Sequence, residues 1–220
     1  MNVSVVLPSF NRARLLPITI PTYFQEDVSE VILVDDCSSD NTAEVVKELQ
    51  TRFPTLRYFR NEVNSKQPYT QNVAISKVQS EYIYFGDDDS VLYPGSIRNL
   101  LNVMREKNAD IVGGRALALF FPEQIDELDE FLSHYRNRIA TEANQIVDLS
   151  TLSTNFTYTV KEPIRVPFCH ASCLCKTQVA REMQFDVKIE GNAYREETDF
   201  LIRATLAGYT IYYTSSANQI

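Results

Sequence analysis

Tyr82-Ile83-Tyr84-Phe85-Gly86-Asp87-Asp88-Asp89 is the stretch that decides how this chain is read. Its first four residues are aromatic or β-branched, a composition that suits a strand packed on both faces. Gly86 permits a sharp exit from that strand, and three carboxylates follow at its carboxyl end. Adjacent carboxylates repel and raise one another's pKa. A hard divalent cation relieves the repulsion, and an all-oxygen donor set suits Mg²⁺ or Mn²⁺ rather than Zn²⁺. A solvated acidic turn, or a cap for the helix after Pro94, is the plainer reading of the same residues.

Outward from this stretch, strand and helix patterns alternate. Residues 3–7, 31–34 and 56–59 read as strands, and so do 81–85 and 110–112. Residues 14–23, 42–52, 69–78 and 96–107 read as helices, with Asp40 as the N-cap of the second and Pro54 closing it. The rhythm predicts an α/β fold with a mostly parallel central sheet flanked by helices. It breaks after Gly113-Gly114. A charged, helix-like piece (123–138) and a Thr/Ser-rich piece (141–159) then suggest an elaboration that shapes a pocket, or a lid. A strand at 166–174, a helix at 196–206 stopped by Gly208, and a strand at 210–213 complete the expectation. The whole is expected to be one domain, 1–220, with halves 1–114 and 115–220.

The 220 residues are 44% hydrophobic and 23% charged, which describes an ordinary globular chain. A net charge of -8 argues against a general nucleic-acid binder, because phosphate neutralisation needs clustered Lys and Arg. A nucleotide substrate remains compatible, since a metal can bridge its phosphates. No run approaches the apolar length of a transmembrane segment. Met1 to Pro8 lacks a basic region and a cleavage-type end, so it reads as a strand and not a signal peptide. A cytoplasmic location is the expectation, with association at the inner face of the membrane left open. Cys37 stands alone, whereas Cys169-His170-x-x-Cys173-x-Cys175 invites a zinc reading. That spacing matches no common structural zinc pattern, and small buried thiols are the stronger expectation.

Four segments together resemble the family 2 glycosyltransferases of the GT-A fold. They are Val3-Ser4-Val5-Val6-Leu7-Pro8-Ser9-Phe10-Asn11-Arg12, Val31-Ile32-Leu33-Val34-Asp35-Asp36-Cys37-Ser38-Ser39-Asp40, Phe85-Gly86-Asp87-Asp88-Asp89 with Pro94 following, and Arg195-Glu196-Glu197-Thr198-Asp199-Phe200. The first three cover about half of the chain, and the fourth extends the match nearly to its end. The resemblance implies a nucleotide-diphosphate sugar donor, of UDP type, bound in the crevice beyond the strand ends. Pro8, Ser9 and Asn11 would line its base and ribose end, and Asp36 would accept a hydrogen bond from the base. Capping of the following helix is the alternative for Asp36. Asp87 and Asp88 would face the donor, with Asp88 toward the ribose, and Asp89 would hold Mg²⁺ or Mn²⁺.

Glu196-Glu197 stand where the family carries Glu-Asp. In an inverting displacement one carboxylate takes the proton from the acceptor hydroxyl. The resemblance gives that role to Glu197, with Glu196 as the other candidate; favourable charge at a helix start is the structural alternative for both. Gln71-Asn72 replaces the Arg-Asn pair often found in the family, and Lys66 is a partial substitute for that arginine. No histidine follows the last strand, where members of the family often carry one near the metal, so the chain reads either as a piece of a longer protein or as a form that manages without that ligand. The acceptor would be a glycan, a lipid-linked compound or another hydroxyl compound. The competing reading is a catalytically impaired nucleotide-sugar-binding domain of the same fold. A nucleotidyltransferase is disfavoured because Pro8 to Arg12 contains no glycine. A response-regulator-like pocket accounts for Asp35-Asp36 but not for the other acidic pairs.

Overall fold

The computed structural model describes residues 2–118, 128–189 and 195–220. Strands β1 (Val3–Ser9), β2 (Val28–Asp35), β3 (Leu56–Arg60), β4 (Tyr82–Phe85) and β5 (Ile111–Ala116) alternate with helices α1 (Leu16–Thr19), α2 (Thr42–Arg52), α3 (Lys66–Lys77) and α4 (Ser96–Glu106). Then come α5 (Leu128–Ser133), α6 (Ala143–Ile146), a small hairpin of β6 (Val147–Asp148) and β7 (Ser153–Thr154), and β8 (Ile164–Arg165). The chain ends with β9 (Cys173–Lys176), α7 (Thr177–Met183), α8 (Glu196–Leu206) and β10 (Ile211–Gln219).

Eight strands form one sheet in the order β3-β2-β1-β4-β9-β5-β10-β8. The first four are parallel, as are β5 and β10. β9 runs antiparallel between β4 and β5, and β8 is antiparallel to β10 at the edge. Alternate side chains of a strand face opposite sides of a sheet, so each strand feeds two cores. Val3, Val5 and Leu7 pack with Leu33, Tyr84 and Leu100 on the α1/α4 side, while Val6 joins Ile32, Ile83, Phe85 and Phe200 on the α3/α8 side. The parallel α/β architecture predicted from the alternating pattern is present.

Several boundaries differ for physical reasons. Residues 14–23 split into α1 and a 3₁₀ turn, Ile20–Tyr23, because Pro17 and Pro21 remove backbone donors in mid-segment. The strand expected at 166–174 is instead the four-residue β9, which starts only at Cys173. Pro163 and Pro167 bracket β8 and cannot donate to a ladder, and Val166, Phe168 and Cys169 are buried as loop packing instead. β10 continues to Gln219, well past the expected Tyr213, with an irregularity between Tyr213 and Asn218. Of the expected helix at 123–138, only α5 falls among the described residues as a helix; 123–127 lie outside them. Asn41 is the N-cap of α2, although Asp40 supplies the capping oxygen by accepting from the Thr42 N–H at 3.1 Å. Gly208 follows α8 with φ +98°, the left-handed stop that glycine adopts without strain. Among the described residues no helix is long and apolar enough to cross a membrane.

Candidate active site

The acidic loop after β4 is held from below by the segment after β1. The Tyr23 hydroxyl donates to the Asp87 carbonyl at 2.7 Å and accepts from the Asp87 N–H at 3.2 Å, while Thr19 Oγ1 donates to the Asp88 carbonyl at 3.0 Å. Gly86 is needed for this close approach and not for a turn, which corrects the expectation for it. A Cβ there would sit 2.7 Å from Leu7 Cδ2 and 2.9 Å from Tyr23 Cε1.

A cavity of about 360 Å³ opens beyond the carboxyl ends of β1 and β2, lined by Pro8, Ser9, Phe10, Arg12, Asp36, Lys66 and Asp88 among others. Of the expected site residues, Pro8, Ser9, Asp36, Lys66 and Asp88 face the cavity, and Asp89 is paired to Arg12, which also lines it. Asn11 does not face the cavity, and this is a correction. With φ 57° it turns its amide oxygen onto the Ser39 and Asp40 N–H groups at 2.8 and 3.3 Å and so fixes the β2–α2 loop. Asp35 is wholly buried and structural, accepting from Tyr58, Arg60 and the Ser38 N–H. Asp36 accepts from Asn61 Nδ2 and from the Ser65 and Lys66 N–H groups, all at 2.8 Å, so it anchors the start of α3 while facing the cavity.

Burial, joined by the charge of Asp89, pushes the Asp88 carboxyl up to about 6. Ser9 Oγ is buried beside the cavity, and its hydroxyl works against that rise in Asp88. Asp87 is turned away from this cavity. Its Oδ2 accepts from Ser172 Oγ and Gln219 Nε2, both at 2.7 Å, and Gln219 in turn accepts from the Tyr84 hydroxyl at 2.8 Å. Neither Ser172 nor Gln219 was legible as a site residue, because both act through a carboxylate far away in sequence.

A second cavity, of about 150 Å³, is lined by Phe156, Phe168, His170, Glu197 and Thr198 among others. His170 feels the charges of both Asp87 and Glu197, yet burial dominates and pushes its pKa down. Its Nδ1 accepts from the Ser172 N–H at 3.2 Å, so the neutral ring carries its proton on Nε2. Glu196 is buried at the first turn of α8, where burial and then the charge of Glu197 push it up to about 8. Glu197 is the member of the pair that lines the cavity. α8 is fixed to the acidic strand by aromatic packing: Phe200 stacks on Phe185 at 4.7 Å, and Phe85 meets both edge-on at 5.8 and 5.5 Å.

The donor set suits a hard cation: the Asp88 and Asp89 carboxylates are adjacent in the chain, and Ser9 lines the same cavity as Asp88. Among the described residues no three His, Cys, Asp or Glu side chains converge as a complete metal site. A cation here would complete its shell with substrate oxygens and water. All four cysteines are free thiols, and Cys169, Cys173 and Cys175 are buried.

The family model for glycosyl transferase family 2 matches residues 4–173, which takes in β1, the Asp35-Asp36 turn, the acidic loop and the start of β9. The chain belongs to glycosyl transferase family 2. Among relatives of this family 2 chain, a Campylobacter jejuni GalNAc(5)-diNAcBac-PP-undecaprenol beta-1,3-glucosyltransferase is 33% identical over 114 residues, covering 50% of this chain and 37% of the relative. The Staphylococcus aureus poly(ribitol-phosphate) beta-N-acetylglucosaminyltransferase TarP is 32% identical over 121 residues, covering 51% of this chain and 36% of its own. The family 2 chain thus spans little more than a third of the length of these curated relatives. In fold it is similar to S. aureus TarS 1–349 in complex with UDP, at TM-score 0.69 and 18% identity over 99% of this chain and 60% of that one. It is also similar to a Pyrobaculum calidifontis mannosyltransferase in complex with GDP-Man and Mn2+, at TM-score 0.65 and 17% identity over 98% and 56%.

Proposed function

We propose that this chain transfers a sugar, with inversion, from a UDP-type nucleotide-diphosphate donor to an acceptor hydroxyl, using Mg²⁺ or Mn²⁺. The observation that carries the reading is the cavity beyond β1 and β2, where Asp36 faces one part and Asp88 another. Open α/β sheets bind nucleotides at that edge. The UDP- and GDP-Man-bound relatives of the same fold support a nucleotide-sugar donor. Residues 1–114 would bind the donor, and 115–220 would face a glycan, lipid-linked or other hydroxyl acceptor.

In this reading Asp36 accepts from the base, using lone pairs left over from its bonds to α3. Pro8 and Ser9 wall the base and ribose end, Asp88 faces the ribose, and Lys66 faces the phosphates. Asp89, with Asp88, would hold the cation, which when bound neutralises charge on the departing diphosphate. Asp87 acts from behind, its carboxylate fixing the loop through Ser172 and Gln219. Glu197 takes the acceptor proton, because it lines the second cavity while Glu196 is buried behind it. Burial and then the charge of Glu197 push Glu196 up to about 8, so the buried member of the pair carries a proton at neutral pH.

A catalytically impaired donor-binding domain is the second reading, favoured by a glutamate where the family has aspartate. Glu197→Gln decides between them. Proton abstraction contributes about a hundredfold to ten-thousandfold in rate, so turnover should fall on that scale with UDP affinity within about twofold of the parent chain. Wild-type protein that binds UDP yet releases none from UDP-sugars with Mn²⁺ and an acceptor panel would favour the impaired domain.

A further inference from the structure

Arg12 lines the donor cavity beside the acidic loop. Its Nε lies 3.6 Å from Asp88 Oδ1 and its Nη2 lies 3.4 Å from Asp89 Oδ2. The main chain beneath it is pinned on both sides. The Asn11 N–H donates to Ser38 Oγ at 2.8 Å, and the Ala13 N–H donates to Asp40 Oδ2 at 3.1 Å. Only the side chain is free to move, and it is 45% exposed. Its contacts to the two aspartates are long, so the pairing is weak and easily exchanged.

The opposite wall supplies little positive charge. Lys66 opens α3, and the other residues of that helix that line the cavity, Gln67 and Thr70, are neutral. A divalent cation at Asp88 and Asp89 is already partly neutralised by them and cannot cancel a diphosphate alone. It also repels a guanidinium a few ångströms away. Guanidinium forks match phosphate oxygens in a two-point geometry that an ammonium lacks.

Resting on the nucleotide-sugar reading, we infer that Arg12 is a diphosphate-binding residue. It neutralises Asp88 and Asp89 in the empty cavity and turns to the phosphates when a divalent cation takes the pair. One side chain thereby serves two anionic partners in sequence and takes the place of a phosphate-facing arginine that α3 does not provide.

The inference predicts two binding effects of opposite sign. At pH 8, calorimetry compares wild type, Arg12→Gln and Arg12→Lys with four probes: Mn²⁺ alone, UDP with Mn²⁺, UMP with Mn²⁺, and uridine. Arg12→Gln should bind Mn²⁺ alone about threefold more tightly, since an exposed competing cation has gone. It should bind UDP about tenfold more weakly, UMP less so, and uridine as wild type does. Arg12→Lys keeps the charge without the fork and should recover part of the UDP affinity. A general disturbance of the fold would weaken every probe together, and that result overturns the inference. So does a UDP affinity within twofold of wild type in Arg12→Gln. Wild-type protein that does not bind UDP with Mn²⁺ overturns the UDP-type donor reading itself and this inference with it.

Discussion

Asp36 does two things with one carboxylate. It accepts from Asn61, Ser65 and Lys66, which fixes the start of α3, and it lines the cavity where a base would lie. Its neighbour Asp35 spends its whole carboxylate on Tyr58, Arg60 and Ser38. The order Asp35-Asp36 after a strand was legible and placed Asp36 at the edge of the sheet. Its partners were not, because they lie 25 to 30 residues further along the chain. The dual role separates in one variant. Asp36→Ala should weaken UDP binding by about 1.5–3 kcal/mol, the scale of a hydrogen bond to a charged group. It should also lower stability by about 1–3 kcal/mol, because two backbone N–H groups and the Asn61 amide lose their acceptor. Calorimetry and a denaturant melt read the two effects separately. A lowered melt with unchanged UDP affinity would make Asp36 an anchor for α3 alone.

At the scale of elements, the two cavities belong to different parts of the chain. β1, β2 and α3 build the first, whereas α8 and the loop before β9 build the second. The link between them is the stack of Phe85, Phe185 and Phe200, which sets α8 against the strand that carries the acidic loop. The helix over 196–206 was legible from its spacing and its glycine stop. β9 was not, since a four-residue strand wedged between β4 and β5 carries no local signal for its partners. The polar end of β10 was hidden for a similar reason: Thr214 to Gln219 reads as loop, yet it pairs with β5 and delivers Gln219 to Asp87. Phe200→Ala tests the division. Phe200 is 1% exposed, and removing a buried phenyl costs about 3–5 kcal/mol. Transfer should fall as α8 loosens, while UDP affinity at a temperature where the variant is folded stays near that of wild type. An equal loss of UDP affinity would show that α8 also supports the donor cavity.

Over the whole molecule, the parallel half was legible because each βα step is local and repeats, whereas the second half is assembled from pairings distant in sequence. One consequence of this packing is electrical: Asp88 and Glu196 are carboxyls buried near the sheet edge. Glu196 holds its proton up to about 8, against an ordinary value of 4.5, so between those values the native state binds a proton that the unfolded chain has released. Stability therefore falls as pH rises toward 8 and levels off above it. Asp88, pushed up to about 6, acts in the same direction but is largely ionised above pH 6.5. His170 acts oppositely, since its pKa is pushed down, but only below about pH 6.5 where the unfolded imidazole is charged. From pH 6.5 to 8 the slope belongs mainly to Glu196. Its upper limit is about 2 kcal/mol over that interval, and solvent screening reduces the expected loss to about 1 kcal/mol. For a chain of this size that corresponds to a melting temperature lower by about 2–4 °C at pH 8 than at pH 6.5. Glu196→Gln should remove the decline and melt above wild type at pH 8. Glu197→Gln should shrink it, because the charge that helps to raise Glu196 has gone. Parallel slopes in all three proteins would mean that Glu196 is already ionised in the native state, and the division of labour within the pair would have to be reversed.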